Sequence, residues 1–190
     1  MYQENKKNFS PPFTIIALVG LLLLYVIEHI TPHPKYANVF YKFGIYAEEK
    51  KHETKAEYFY KRAIHFDPTY ARAYNRLGMI ARNSGDMKEA IKYFQKAADF
   101  DSGFSDGLDN LGLIYMDKGY FDAAAAYFYQ SIKRTPNNLF RYHLGLAYIK
   151  TGYKRGALSA VLDLQMAGEF KLANQLLSYM SSRRDSTNHD

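Results

Sequence analysis

The sequence contains neither cysteine nor tryptophan among its 190 residues. Without cysteine the chain can form no disulfide bond, thiolate metal site, thiol nucleophile, covalent haem attachment or bacterial lipoprotein anchor. The redox compartment stays open, because a cysteine-free chain suits either side of a membrane. Charge bias is also small, with 25 Lys and Arg against 19 Asp and Glu. This excess is too diffuse to indicate a nucleic-acid partner.

Sequence motifs of catalysis are missing as well. The chain has no GxSxG, no phosphate-binding P-loop, no GxGxxG and no HExxH. We therefore predict that the protein is not an enzyme, and we predict no cofactor, no metal and no small-molecule substrate. The apolar fraction of 47% is that of a globular chain rather than a disordered one.

One long apolar run, residues 13–27, carries no charge. As a helix it would rise about 22 Å, short of the ~30 Å hydrocarbon layer, whereas residues 9–30 would rise about 33 Å. A cleaved signal peptide is less consistent, because no small-x-small cleavage site follows. A buried core helix would show an amphipathic period, which is absent. We predict a transmembrane helix at residues 13–30, after an N-terminal tail at 1–12 and before a linker at 31–36.

The flanking lysines bear on orientation. Lys6 and Lys7 favour an N-terminus on the inside of the membrane, and Lys35 and Lys42 act weakly the other way. We expect a single-pass protein with its N-terminus inside and its C-terminal domain outside, which is the periplasm in a bacterium with two membranes.

Several residue types recur with one common period after the linker. The three spacings within each set are 34, 34 and 33 residues. The sets are Gly44, Gly78, Gly112 and Gly145; Ala56, Ala90, Ala124 and Ala157; and Tyr60, Phe94, Phe128 and Val161. In the second period, residues 72–83 and residues 87–98 each place apolar residues at helical spacing. The chain is therefore predicted to repeat a unit of two helices.

These repeats resemble the tetratricopeptide repeat (TPR) family over residues 37–171. The resemblance implies an all-α fold: a right-handed TPR solenoid of about four helix-turn-helix repeats, preceded by the transmembrane helix. The repeats would be residues 37–70, 71–104, 105–137 and 138–171. A capping helix at 170–180 would complete a TPR domain at 37–180, and the polar residues 181–190 are predicted to be a disordered tail. Turn glycines occur at Gly85, Gly119 and Gly152, but the first unit has Lys51, so its turn is expected to be longer or less regular.

The family resemblance also implies a binding surface, since TPR proteins usually bind peptides or helices on a concave wall formed by their first helices. That wall is predicted to be basic in unit two, acidic in unit three, and apolar and aromatic in unit four. The predicted partner-binding residues are Tyr41, Ile45, Arg72, Asn75, Arg76, Met79, Asp106, Asp109, Asn110, Leu113, Tyr142, His143 and Leu146. Two interpretations of the charges stay open. Arg72 and Arg76 could pair with Asp106 and Asp109 between adjacent helices, or these charges could orient a bound peptide.

The combination of an apolar N-terminal run with TPR repeats favours a non-enzymatic, membrane-anchored scaffold or adaptor that binds a partner protein. Its layout is similar to bacterial membrane-anchored TPR proteins that assist cytochrome maturation, pilus assembly or secretion-machine assembly. The alternative is a constitutive structural subunit of a large membrane complex of the respiratory, photosynthetic, pilus or secretion type. Binding of a chaperone's C-terminal carboxylate is not expected, because Asp106 would repel it. The predicted partners are a protein or peptide and, through the N-terminal helix, the membrane.

Overall fold

A computed structural model describes residues 34–101 and 105–187, and all regular structure in these ranges is helical. A short 3-10 turn at Pro34–Tyr36 precedes nine α-helices within this part of the chain. They are α1 (Ala37–Glu49), α2 (Glu53–Phe66), α3 (Ala71–Asn83), α4 (Met87–Phe100), α5 (Asp106–Asp117), α6 (Phe121–Arg134), α7 (Asn138–Thr151), α8 (Lys154–Met166) and α9 (Phe170–Thr187). Helices α1 to α8 form four consecutive pairs, and each pair packs on the next. The prediction of an all-α solenoid of paired helices is confirmed.

The predicted N-terminal tail and transmembrane helix, residues 1–12 and 13–30, lie outside the described residues. Among the helices that the structure describes, none combines the length and the apolar composition needed to cross a membrane.

The turns inside the first three pairs are equally long, which corrects the expectation for the first unit. Lys51 adopts a φ of 59°, in the left-handed region where Gly85 and Gly119 have φ values of 87° and 78°. The next amide closes the turn in each case, as His52 N–H donates to the carbonyl of Ala47 at 2.9 Å. Lysine therefore takes the glycine conformation, at a cost of the order of 1 kcal/mol relative to glycine, and the turn stays regular.

A glycine on the first helix and an aromatic ring on the second bring each of the first three pairs together. A Cβ atom at Gly78 would lie 2.6 Å from Cδ1 and Cε1 of Phe94, which is far inside van der Waals contact. Phe94 itself is 0% exposed. The same partners occur in the flanking units as Gly44 with Tyr60 and Gly112 with Phe128. The ring therefore fills the space that a side chain on the first helix would need.

The fourth pair replaces this ring with a residue from α9. Val161 stands at the position of the rings, and Leu176 approaches the glycine instead: a Cβ atom at Gly145 would lie 2.5 Å from its Cδ1. Leu176 and Ala173 are both 0% exposed, so α9 completes the core of the last unit.

The C-terminal boundary differs from the prediction. Helix α9 ends at Thr187, so residues 181–187 are helical and their assignment to a disordered tail is wrong. The predicted cap at 170–180 is the first part of this longer helix. The polar composition of 181–187 could not reveal this, because a helix that is already formed can be continued by residues that are not apolar.

Substituting Gly78 with alanine tests the close contact. Alanine gains about 1 kcal/mol in helix propensity over glycine, but the added methyl group overpacks against Phe94, which typically costs about 1–3 kcal/mol. We expect Gly78→Ala to lower the free energy of unfolding, measured by denaturant titration followed by circular dichroism. In a Phe94→Leu background, the same substitution should cost less or become stabilising. An equal effect in both backgrounds would show that this ring does not set the helix separation.

Candidate functional site

The side of the solenoid formed by α1, α3, α5 and α7 is held together by polar contacts between successive first helices. We call this surface the first-helix wall. Asn110 Nδ2 donates to Asn75 Oδ1 at 2.9 Å and joins α5 to α3. His143 Nδ1 lies 2.9 and 3.0 Å from the two carboxylate oxygens of Asp109 and joins α7 to α5. Each contact spans about one repeat, so the wall carries a ladder of polar links.

Two predicted partner-binding residues are buried in this ladder. Asn75 is 6% exposed and Asp109 is 5% exposed, so neither is open to a partner as predicted. A buried amide or carboxylate is stable only when its polar atoms are bonded, and the next repeat supplies the bond in both cases. His143 is largely buried beside Asp109, since 13% of its side chain is exposed.

A charged cluster occupies the N-terminal end of the wall. Arg76 Nη1 lies 3.4 Å from Glu48 Oε2, joining α3 to α1. Burial lowers the pKa of Arg76, but the Tyr41 hydroxyl and the Glu48 carboxylate more than offset this and raise it overall. Burial and the nearby Glu48 carboxylate raise the pKa of Tyr60. Arg76 therefore stays charged, and its guanidinium group pairs with Glu48 of the same chain.

The charge pairs differ from the first of the two interpretations given to the wall charges, the pairing of Arg72 and Arg76 with Asp106 and Asp109. Arg76 pairs with Glu48 and Asp109 with His143, while Arg72 and Asp106 are exposed on the wall. Loss of hydration beside the neighbouring helices raises the pKa of Asp106, and the Asp109 carboxylate raises it further; Arg76 and Arg72 oppose both effects. Arg72 and Asp106 are thus the charged groups of the predicted set that remain open to a partner.

The remaining predicted residues are half-buried along the wall. They are Tyr41, Ile45, Asn110, Met79, Leu113, Tyr142 and Leu146. Apart from Asn110, they pack against the apolar clusters beneath the wall and present part of their surface outward.

An apolar cleft of about 650 Å³ opens at the C-terminal end of the wall. Its lining residues are Met116, Phe121, Leu146, Ile149, Lys150, Tyr179 and Ser182. Leu146 was a predicted partner-binding residue, and the others were not among the predicted set. Tyr179 comes from α9, and no repeat-based argument could find it, because α9 has no counterpart in the other units. Met116 and Ile149 could have been predicted from the sequence, since they lie one helical turn beyond Leu113 and Leu146.

The part of the chain that the structure describes, residues 34–101 and 105–187, holds no group of three or more His, Asp or Glu residues that could bind a metal ion. Its arrangement of half-buried apolar residues and exposed charges is suited to contact with another polypeptide.

The Asp109–His143 contact can be tested by removing either or both groups. His143→Phe keeps an aromatic ring beside Phe128 but leaves a buried carboxylate without its donor, which should cost about 1–3 kcal/mol. The double variant Asp109→Leu/His143→Phe should be closer to wild type than His143→Phe alone, because both polar groups are then gone. Chemical unfolding of the full chain measures this, with Tyr142→Phe as the control on the same helix. Additive losses from the two changes would show that the contact does not stabilise the wall.

Two segments of the chain match tetratricopeptide repeat families, over residues 71–104 and 106–138. They correspond to the pairs α3–α4 and α5–α6. No curated protein sequence matches this one. Proteins with tetratricopeptide repeats generally serve as non-enzymatic scaffolds for protein interactions.

Solved structures show the same fold at low sequence identity. A tetratricopeptide repeat protein from Parabacteroides merdae is 18% identical with a TM-score of 0.67, and the match covers 81% of this chain and 62% of that one. PilF from Pseudomonas aeruginosa is 16% identical with a TM-score of 0.61, over 78% of this chain and 76% of that one. PilW, described as a widely conserved type IV pilus biogenesis factor, is 14% identical with a TM-score of 0.60, over 78% of each chain. The chain thus contains tetratricopeptide repeats and folds as a TPR-like helical solenoid.

Proposed function

We propose that this protein is a non-enzymatic scaffold that binds a segment of a partner protein along its first-helix wall. The observation that carries the proposal is the apolar cleft at the C-terminal end of the wall. Half-buried and exposed apolar side chains that line one concave space, such as Leu146 and Tyr179 here, are typical anchors for a partner side chain.

The exposed charges on the wall would set the orientation of the bound segment. Arg72 on α3 and Asp106 on α5 lie at equivalent positions of adjacent repeats and carry opposite charges. A bound segment would place an acidic group near Arg72, a basic group near Asp106 and an apolar side chain in the cleft. Charge complementarity of this kind chiefly sets orientation and association rate.

We further propose that the scaffold is attached to a membrane by the predicted helix at 13–30, with the N-terminus inside and the repeats on the outer face. The uncharged run at residues 13–27 supports this. An assembly role at a membrane complex is supported only by analogy of fold with PilF and PilW. The alternative role as a constitutive subunit predicts that stoichiometric partners remain bound after detergent extraction and sizing.

Partner binding is testable at two exposed residues, Tyr179 and Arg72, and at Met116, which is half-buried at the edge of a core cluster. Tyr179→Ala and Met116→Ala remove apolar surface from the cleft and should weaken capture by roughly tenfold, through faster dissociation. Arg72→Glu should slow association, and its effect should fade at high salt. In situ crosslinking with mass spectrometry identifies the partner, and binding kinetics with the purified partner measure each variant.

The matched control is Tyr129→Ala on α6. Tyr129 is 59% exposed, much like Tyr179 at 53%, but it is not a lining residue of the cleft. An undiminished partner set with folded Tyr179→Ala, Met116→Ala and Arg72→Glu proteins would refute the wall as the recognition surface.

Membrane attachment is tested separately by alkaline carbonate washing of membranes. We expect the full-length chain to stay in the membrane fraction, because an apolar helix of about 20 residues is held by the hydrocarbon layer rather than by charge. Protease added to intact spheroplasts should digest the repeats. Release of the chain into the wash would contradict the anchor, and full protection from protease would contradict the orientation.

A further inference from the structure

Helix α1 carries an apolar stripe that the described chain leaves about half exposed. Val39, Phe43 and Tyr46 are 45%, 50% and 60% exposed. They are spaced four and three residues apart, so their side chains share one face of the helix. Adjacent apolar side chains this exposed are unusual on a surface that meets only water.

The same positions are buried or half-buried in every later repeat. The counterparts of the stripe are Ala73, Leu77 and Ile80 on α3; Gly107, Leu111 and Ile114 on α5; and Phe140, Leu144 and Ala147 on α7. Those on α3 and α5 pack against the second helix of the preceding unit. At Gly107 the approach is so close that a Cβ atom would lie 3.2 Å from Cβ of Ala97. In the first unit, the described residues include no preceding α-helix to pack on these positions.

The chain enters α1 through a linker like the one between the first two units. Residues 34–37 read PKYA, and residues 68–71 read PTYA. A second helix that covered the stripe as in the later units would have to come from residues before Pro34. Such a helix has a polar outer face in α2 and α4, with Lys61 and Lys92 exposed. Residues 13–27, by contrast, carry no charge. If they formed a helix packed on α1, the rest of that helix would expose a broad apolar surface to water. An apolar helix of this kind is more stable in lipid.

The charges around the stripe also favour a lipid surface. Lys35, Lys42 and Lys50 border it, and the ammonium groups of Lys35 and Lys50 lie 4.9 and 5.6 Å from the ring centres of Tyr36 and Tyr46. The acidic residues of α1 are Glu48, which pairs with Arg76, and Glu49 at the C-terminal end. Tyrosines beside lysines around an apolar stripe suit the headgroup region of an anionic bilayer.

We propose that α1 lies on the membrane surface, with Val39, Phe43 and Tyr46 in the headgroup region of an anionic bilayer. The inference rests on the proposed membrane anchor. The six residues 31–36 reach at most about 20 Å when fully extended, which keeps α1 close to the point where the anchor leaves the bilayer. The stripe then meets lipid in place of a preceding helix, and the later repeats extend away from the membrane.

The absence of tryptophan allows a direct test. A Phe43→Trp variant of the full chain carries a single fluorescent probe on the stripe. In vesicles of phosphatidylcholine and phosphatidylglycerol, lipids brominated near the glycerol backbone should quench its fluorescence by roughly half or more. Tyr129→Trp is the matched control, because Tyr129 is 59% exposed, against 50% for Phe43, but lies on α6; brominated lipids should leave its fluorescence unquenched.

A second probe guards against a folding defect, since Phe43 also contacts Phe40 and Phe59. Tyr46→Trp should show the same quenching, and Lys42→Glu/Lys50→Glu should reduce it in anionic vesicles.

Two results would overturn the inference. A probe shielded from both brominated lipid and aqueous iodide would show that the N-terminal segment or a second copy covers the stripe. A probe quenched by iodide alone would show that the stripe faces water. Carbonate washing separates the two proposals: if the chain stays in the membrane and the probe is unquenched by lipid, the surface position of α1 fails while the anchor stands.

Discussion

The contact between a glycine backbone and an aromatic ring sets the distance between the two helices of a pair, and the rest of the solenoid depends on that distance. Phe94 occupies the space where Gly78 has no side chain, so the helices approach more closely than two ordinary side chains would allow. Since the same contact recurs in three units, successive first helices come to lie at a regular spacing. That spacing is what lets Asn110 reach Asn75 and Asp109 reach His143 across a repeat.

The sequence predicted the helix pairs well because their signal is local and repeated. Small residues at fixed intervals mark the close contacts, and the predicted units match α1 to α8 closely. The sequence could not show which wall residues are accessible. Asn75 and Asp109 lie on the face of their helix that points away from the core of their own unit, yet the neighbouring repeat buries them. Lys51 was also misread, because a left-handed lysine in a regular turn is indistinguishable in sequence from a longer loop.

The wall separates residues that support the fold from those open to another molecule. The buried polar links fix the relative positions of the first helices, whereas Arg72, Asp106 and Tyr179 contribute exposed surface. Asp106 illustrates the difference. Its pKa is raised in the folded state, so the folded protein binds a proton there more readily than the unfolded chain does. Its charge therefore opposes folding above that pKa, and this opposition is relieved as the pH falls through it. The charge of Asp106 thus does not stabilise the repeat, in contrast to the buried polar links of the wall.

The two ends of the solenoid differ in how the chain covers them, and Leu176 is the reason. In the fourth unit the place beside Gly145 is taken by a residue of α9, so the C-terminal end is already filled by the chain itself. At the other end, α1 presents the positions that elsewhere receive a neighbouring helix. The two ends of the described solenoid therefore offer different surfaces to another molecule. One end presents the half-exposed stripe of α1, and at the other end α9 has already filled the place beside Gly145.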